Sequence, residues 1–284
     1  VQIDSFAYGP MAYLDVTLPA VQDHLRQLFQ RLRQDGFEYF KVDFCHCILK
    51  AARFADPTVP RAELVRIAFR VIREAIGPEA YLLGCGAPYE SVFGSVDAVR
   101  STGDIHIYWG HVLTNVGAIA ARWWMQDNLW NCDPDFLVVR GPDTARAPWF
   151  KRRVVAPAGP DGGWMAGREF NEAEARVYAL LVHLSGGDVV LGDQLELVEA
   201  LGAEILRRVL QPRPRAVPVD LFTSEQDPPR LWISRGREDT LVVVFNWTDK
   251  PARVDLDPAE HGLRGTPRDF WTGAAVTALP TRQA

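Results

Sequence analysis

The sequence predicts an α/β protein with a parallel sheet, followed by a smaller antiparallel β region. Three observations carry that prediction. From Phe37 to about Leu210, short aromatic and β-branched runs alternate with stretches of helical spacing. Strand–helix alternation with right-handed crossovers yields a parallel sheet. After Gln211, Pro212, Pro214, Pro218, Pro228 and Pro229 punctuate a boundary, and hairpin-like runs follow it. The expected division is therefore 1–212 and 213–284.

Residues 1–11 read as a short arm or hairpin. Thr17 is a candidate helix cap, with Pro19 in the first turn. The helix continues through Val21, Leu25, Leu28, Phe29 and Leu32 and stops at Gly36. Phe37 to Phe44 reads as a buried strand in which Lys41 and Asp43, two apart, share one face. A second helix is expected from Arg61 to Ile76, stopped by Gly77-Pro78. Strands follow at 80–86, ending in a Gly-rich turn, and at 95–104. A helix is expected over 116–129, and a strand over 130–139 carries Asp133 and Asp135. Asn171 and Glu174 have capping-box spacing at the start of the helix to Leu184. A strand over 187–193 and a helix to Leu210 complete five βα units, with strands near 39, 82, 98, 137 and 190. Beyond the boundary, 230–234 and 240–247 form a hairpin, with further strands expected at 252–256 and 268–271.

Composition excludes several classes. The 284 residues carry a net charge of -5 with scattered basic residues, which argues against a partner held by phosphate contacts. No apolar run reaches the roughly 18 residues of a membrane span. Four cysteines are too few for a disulfide scaffold, and Cys45-His46-Cys47 lacks zinc-site spacing. No metal or other cofactor is expected, and the thiols suit a reducing, cytoplasmic compartment. The chain opens at Val1 in mid-pattern, so further residues upstream are expected.

In parallel sheets, functional groups gather at the carboxyl ends of strands. Asp43, Cys45, Cys85, Asp104, Asp133, Asp135 and Asp193 fall there. Two carboxylates at such ends suit retaining glycoside hydrolysis, in which one attacks the anomeric carbon and the other protonates the leaving oxygen. Asp43 beside Lys41 suits an ionised nucleophile, and Asp104 suits the acid. Arg100 suits hydrogen bonds to sugar hydroxyls, or equally a strand-end salt bridge. Tyr108, Trp109, Trp123, Trp124 and Trp130 are candidates to stack on sugar, though core packing explains most of them. Taken alone, the Lys41/Asp43 pair reads as a structural ion pair.

The motifs resemble a family. Tyr39-Phe-Lys-Val-Asp-Phe44 resembles the fourth-strand nucleophile motif of retaining α-galactosidases of the melibiase type, clan D and family 36-like. Leu83-Gly-Cys-Gly-Ala-Pro88 resembles that family's fifth-strand turn, and Val96-Asp-Ala-Val-Arg-Ser-Thr-Gly-Asp104 its sixth-strand motif. Trp130-Asn-Cys-Asp-Pro-Asp135 resembles the seventh, and Leu184-Ser-Gly-Gly187 with Leu191-Gly-Asp193 the eighth. Leu14-Asp-Val-Thr-Leu-Pro19 resembles the start of the third helix. The resemblance spans about residues 14–210.

It implies a (β/α)8 TIM-barrel type fold that lacks its first three strands here, an N-terminal part being absent, with a C-terminal antiparallel β domain. It implies α-galactoside oligosaccharides as substrates, Asp43 as nucleophile and Asp104 as acid/base. Lys41, Arg100 and Cys85 would contact the sugar, with Asp133 and Trp109 further candidates. A homo-oligomer is compatible with it. Leu18 stands where the family has His, and Cys132 where it has Asn, with Asn131 one place early. The alternatives are a degenerate, non-catalytic carbohydrate-binding homologue, or a transglycosylase passing galactose to another sugar.

Overall fold

The computed structural model describes residues 2–5, 9–51, 53–146, 169–223, 228–252 and 256–276. They fall into two compact units. The first holds residues 1–101 and 127–133; the second holds 102–126, 134–152 and 162–284.

The first unit opens with an antiparallel hairpin, β1 (Gln2–Ser5) and β2 (Gly9–Ala12). Helix α1 (Pro19–Gln34) follows. Its expected cap is not made. Leu18 occupies the cap position, one residue later than predicted, because Pro19 sets the first helical φ. Thr17 instead donates from N and Oγ1 to Asp15 Oδ1 (3.1 and 2.6 Å), while Asp15 Oδ2 accepts from Ala55 N at 2.7 Å. These bonds tie the helix entry to a distant loop.

Strands β3 (Tyr39–Val42), β4 (Tyr81–Gly84), β5 (Ala98–Arg100) and β6 (Asn131–Asp133) form a parallel sheet in that order. Helix α2 (Arg61–Ile76) connects β3 to β4 and packs on α1; a short helix α3 (Tyr89–Val92) precedes β5. Arg73 latches α2 to the sheet. It donates to the carbonyls of Gly77, Ala80 and Ser95 (3.0, 2.7 and 2.9 Å) and pairs with Asp97, whose Oδ2 also accepts from Leu82 N at 2.7 Å.

β3 is not the buried strand the sequence suggests. Among the described residues it lies at the edge of the sheet. Phe40 is buried and meets Phe29 of α1 at 5.8 Å between ring centroids, whereas Tyr39, Lys41 and Asp43 are exposed. Strand alternation explains this, since one face packs on a helix and the other does not. Tyr39 stacks on Tyr81 (5.3 Å, 12°) on that second face.

The second unit is built on helices α4 (Trp109–Arg122), α5 (Glu172–Ser185) and α6 (Ala200–Val209). It also holds an antiparallel sheet of β7 (Val217–Pro218), β8 (Leu231–Arg235) and β9 (Thr240–Val244). Its core includes Phe170, Tyr178, Leu181, Ile205 and Trp232. α4 starts seven residues earlier than predicted, because Val112, Asn115, Val116 and Ile119 already make one buried face. The α5 capping box forms as expected, with Glu174 N on Asn171 Oδ1 at 2.9 Å and Asn171 N on Glu174 Oε2 at 3.0 Å.

Two predicted strands shrink. The run over 130–139 is a strand only over Asn131–Asp133, because Pro134 lacks an N–H and Asp135 turns left-handed (φ 73°). What remains of the pairing expected near 137 and 190 is one parallel bridge, Leu137 to Leu191. Near the C-terminus, Arg268 and Ala275 form a single antiparallel bridge in place of a strand. Most of the strand expected at 252–256 lies outside the described residues.

Candidate active site

The parallel register aligns one row of side chains across the first unit. Val42 pairs with Gly84, and Gly84 with Val99. Arg100 pairs with Asp133 directly. One step past Val42, Cys85 N donates to Val42 O at 2.8 Å and Cys85 O accepts from Cys45 N at 3.3 Å, so Cys85 sits opposite Asp43. Asp43, Cys85, Arg100 and Asp133 therefore lie side by side at the carboxyl ends of four adjacent strands. Lys41, Leu83, Ala98 and Asn131 form the row beneath them on the same face.

Asp43 is held by its surroundings. Phe44 is left-handed (φ 56°), and its N–H donates to Asp43 Oδ1 at 2.6 Å. The chain then tightens into a 3-10 turn over Cys45–Lys50. The Cys85 thiol hydrogen-bonds Asp43; burial, followed by this bond, pushes the thiol up to about 12, so it stays protonated as a donor. Cys45 is likewise raised to about 12, by burial first and then by Cys85 and Asp43, and its Sγ lies 3.2 Å from Val42 O. His46 clips the turn to the neighbouring strand end. Its N donates to Gly86 O at 2.9 Å, and Nδ1 lies 3.2 Å from the same oxygen.

Arg100 and Asp133 form a buried ion pair. Nε and Oδ2 are 3.0 Å apart, with side chains only 5% and 4% exposed. Asp133 O also accepts from Ser101 N (2.9 Å) and Ser101 Oγ (3.1 Å). The salt bridge weighed as the alternative for Arg100 is thus present. Arg100 also acts electrostatically on Cys85, next to it in the row.

Asp104 and Trp109 belong to the second unit. Asp104 is exposed, yet its backbone neighbours are gripped on both sides. Asn115 brackets Gly103 with two bonds, Gly103 N to Oδ1 at 3.1 Å and Nδ2 to Gly103 O at 3.0 Å. Asp135 Oδ2 accepts from Ile105 N at 2.7 Å. Trp109 packs against the core beside Trp247, ring centroids 6.3 Å apart. His106 is buried and stacked on Tyr108 (5.0 Å, 17°). Burial, then Arg140 and His111, lower its pKa to about 4.

Two polar residues of these surroundings, Tyr13 and Asn115, were missed in the sequence. Tyr13 hydrogen-bonds Cys47 and senses Asp43; burial foremost holds its phenol above the ordinary range. Asn131 keeps the site face and donates to Tyr81 OH at 3.0 Å, while Cys132 points away from it. Asn115 sits inside an apolar helix face. Neither Tyr13 nor Asn115 stands in a recognisable motif, and only an Asn among buried aliphatics offered a signal. Among the described residues no three His, Cys, Asp or Glu side chains converge as metal ligands, and no helix is long and apolar enough to cross a membrane.

The sequence matches no family model. The fold, a parallel sheet with a separate antiparallel sheet, is one found in solved glycosidases. A GH27 β-L-arabinopyranosidase from Geobacillus stearothermophilus superposes with a TM-score of 0.70 at 18% identity, over 94% of this chain and 59% of that one. An α-galactosidase I from Mortierella vinacea gives 0.63 at 14% identity, over 94% and 67%. An α-galactosidase from Thermus thermophilus, in complex with p-nitrophenyl α-D-galactopyranoside, gives 0.56 at 20%, over 83% and 43%. The chain thus spans about half the length of the first two structures it matches, those from Thermus and Geobacillus. At these identities the likeness establishes the fold.

Proposed function

We propose that this chain is the catalytic part of a retaining glycosidase that removes terminal α-galactosyl residues from oligosaccharides. The observation that carries the reading is the row of Asp43, Cys85, Arg100 and Asp133 across four parallel strand ends, with Lys41 in the row beneath. Polar and charged groups gathered on one face at the carboxyl ends of a parallel sheet are the usual mark of a site. Two α-galactosidases among the similar folds, one solved with an aryl α-galactoside, support this substrate class. The motif resemblance supports a (β/α)8 barrel with residues 213–284 as its C-terminal β domain.

In this reading the Asp43 carboxylate attacks the anomeric carbon, and the glycosidic oxygen leaves with a proton from Asp104. Water then attacks the glycosyl ester while Asp104 takes its proton back, which frees Asp43. Lys41, and Arg100 braced by Asp133, offer cationic donors to the sugar hydroxyls. Cys85 offers a neutral thiol beside Asp43.

The test is turnover of an aryl α-galactoside by the chain and by Asp43→Asn. Loss of at least a thousandfold in kcat, with the anomeric configuration retained in the parent's product, supports the roles. Turnover untouched by Asp43→Asn refutes the nucleophile. Galactose binding without turnover in the parent favours a non-catalytic homologue, and transfer to added sugar in preference to water favours a transglycosylase.

A further inference from the structure

We propose that Asn115 and Asp135 are positioning residues that aim the Asp104 carboxyl by fixing the backbone on either side of it. The proposal rests on the assignment of Asp104 as the acid/base.

Asn115 lies on α4 among Val112, Val116 and Ile119, and is 1% exposed. A buried amide is costly unless both of its ends are satisfied. Asn115 commits both to the peptide groups of a single residue, accepting from Gly103 N at 3.1 Å and donating to Gly103 O at 3.0 Å. The approach is close: a Cβ at residue 103 would lie in van der Waals contact, 3.4 Å from Asn115 Oδ1. On the other side Asp135 is 2% exposed and holds a left-handed backbone, φ 73°. A non-glycine residue in that region is strained. Its Oδ2 accepts from Ile105 N at 2.7 Å, and the Ile105 side chain is anchored in the core.

Residue 104 thus sits between two backbone clamps, in a segment with no helix or strand of its own, while its side chain is exposed. Two buried polar residues, from a helix and from a loop, converge on the peptides flanking one exposed carboxylate. Aliphatic residues at both positions could fill the space but would leave the Gly103 and Ile105 peptide groups without these partners. A general acid has to meet the leaving oxygen at hydrogen-bond distance, and small displacements are costly.

A positioning role and a merely structural one differ in how they respond to the leaving group. An alkyl glycoside requires the proton, whereas a dinitrophenyl glycoside departs without it. The experiment measures kcat/KM of the full chain for methyl α-galactoside and for 2,4-dinitrophenyl α-galactoside. The variants are Asn115→Ala, Asp135→Ala, Asp135→Asn and, as reference, Asp104→Ala.

Removing the acid should cost about 10²–10⁴-fold on the alkyl substrate and far less on the activated one. Asn115→Ala and Asp135→Ala should follow the same asymmetry, losing at least tenfold more on the alkyl substrate. Asp135→Asn keeps an acceptor for Ile105 N and should recover most of that loss. Should Asn115→Ala not fold, the Asp135 pair decides. Parallel losses on both substrates, or no loss on either, overturn the positioning role. An Asp104→Ala variant without leaving-group dependence, or a parent without turnover, instead overturns the acid/base assignment beneath it.

Discussion

The buried Arg100–Asp133 pair yields the sharpest stability prediction. Both side chains are almost wholly removed from water, at 5% and 4% exposure, with Nε 3.0 Å from Oδ2. In Asp133→Ala the guanidinium stays buried without this counter-charge. The bonds from Ser101 N and Oγ end on the backbone oxygen of residue 133 and survive the change. Removing one partner of a buried pair costs about 3–5 kcal/mol. Whole domains are stable by about 5–15 kcal/mol, so the loss is a large share. With a urea slope of about 3 kcal/mol per M, the unfolding midpoint should fall by about 1 M or more. Circular dichroism and tryptophan fluorescence, followed together in urea, would measure it. Replacing both partners by apolar residues, Arg100→Met with Asp133→Leu, should recover most of the loss, because it leaves no charge unpaired. A fall below about 0.5 kcal/mol for Asp133→Ala, the range of surface changes, would refute the reasoning.

Three other outcomes follow from the geometry. His106, lowered to about 4 from an ordinary 6.5, takes up its proton in the unfolded chain first. Between those two values the unfolded state binds more protons, so stability should fall as pH drops through that window. In thermal unfolding, His106→Gln should flatten that slope; an unchanged slope would exclude His106 as its source. Cys85→Ser keeps a donor for Asp43 and Cys85→Ala does not, so kcat on an aryl α-galactoside should fall several-fold further in the alanine variant. Equal losses in the two would separate the thiol's contact from catalysis. Gly86 is left-handed (φ 60°), and a Cβ there would lie 2.7 Å from His46 Nδ1. Gly86→Ala should therefore cost about 1–2 kcal/mol by backbone strain and displace His46, lowering kcat as well as the melting temperature. A lower melting temperature with undiminished kcat would show that the His46 clip does not govern Asp43.

The sequence was most legible where periodicity and punctuation agreed. Gly36 and Gly77-Pro78 placed the ends of α1 and α2, and Asn171 with Glu174 placed the start of α5 to the residue. It was least legible where one residue overrode a run. Pro134 and Asp135 cut the ten-residue run 130–139 to a three-residue strand, although Val138 and Val139 by themselves favour extension. Burial of β3 was misjudged for a different reason. A strand of Tyr, Phe, Lys and Val reads alike at the centre and at the edge of a sheet, because composition reports one strand and exposure depends on its neighbours. The Asp43, Cys85, Arg100, Asp133 row was legible only in part. Spacing picked out its members, but their adjacency depends on register, which no single strand encodes.

That adjacency changes what each group can do. Asp43 follows the strand at the sheet's described edge, and its orientation rests on the Phe44 N–H and on what β4 supplies. β4 supplies a thiol at Cys85 and a carbonyl at Gly86 that receives His46. Neither adds charge beside the carboxylate, so Asp43 is oriented without being neutralised. The cations lie in other places: Lys41 one row beneath Asp43, and Arg100 two strands away with its charge partly spent on Asp133. In the role proposed for it, Asp43 has to keep its negative charge and still be free to leave its partners for a carbon atom. Weak neutral donors close by and cations one position removed meet both requirements, whereas an Arg in direct contact with Asp43 would meet only the first.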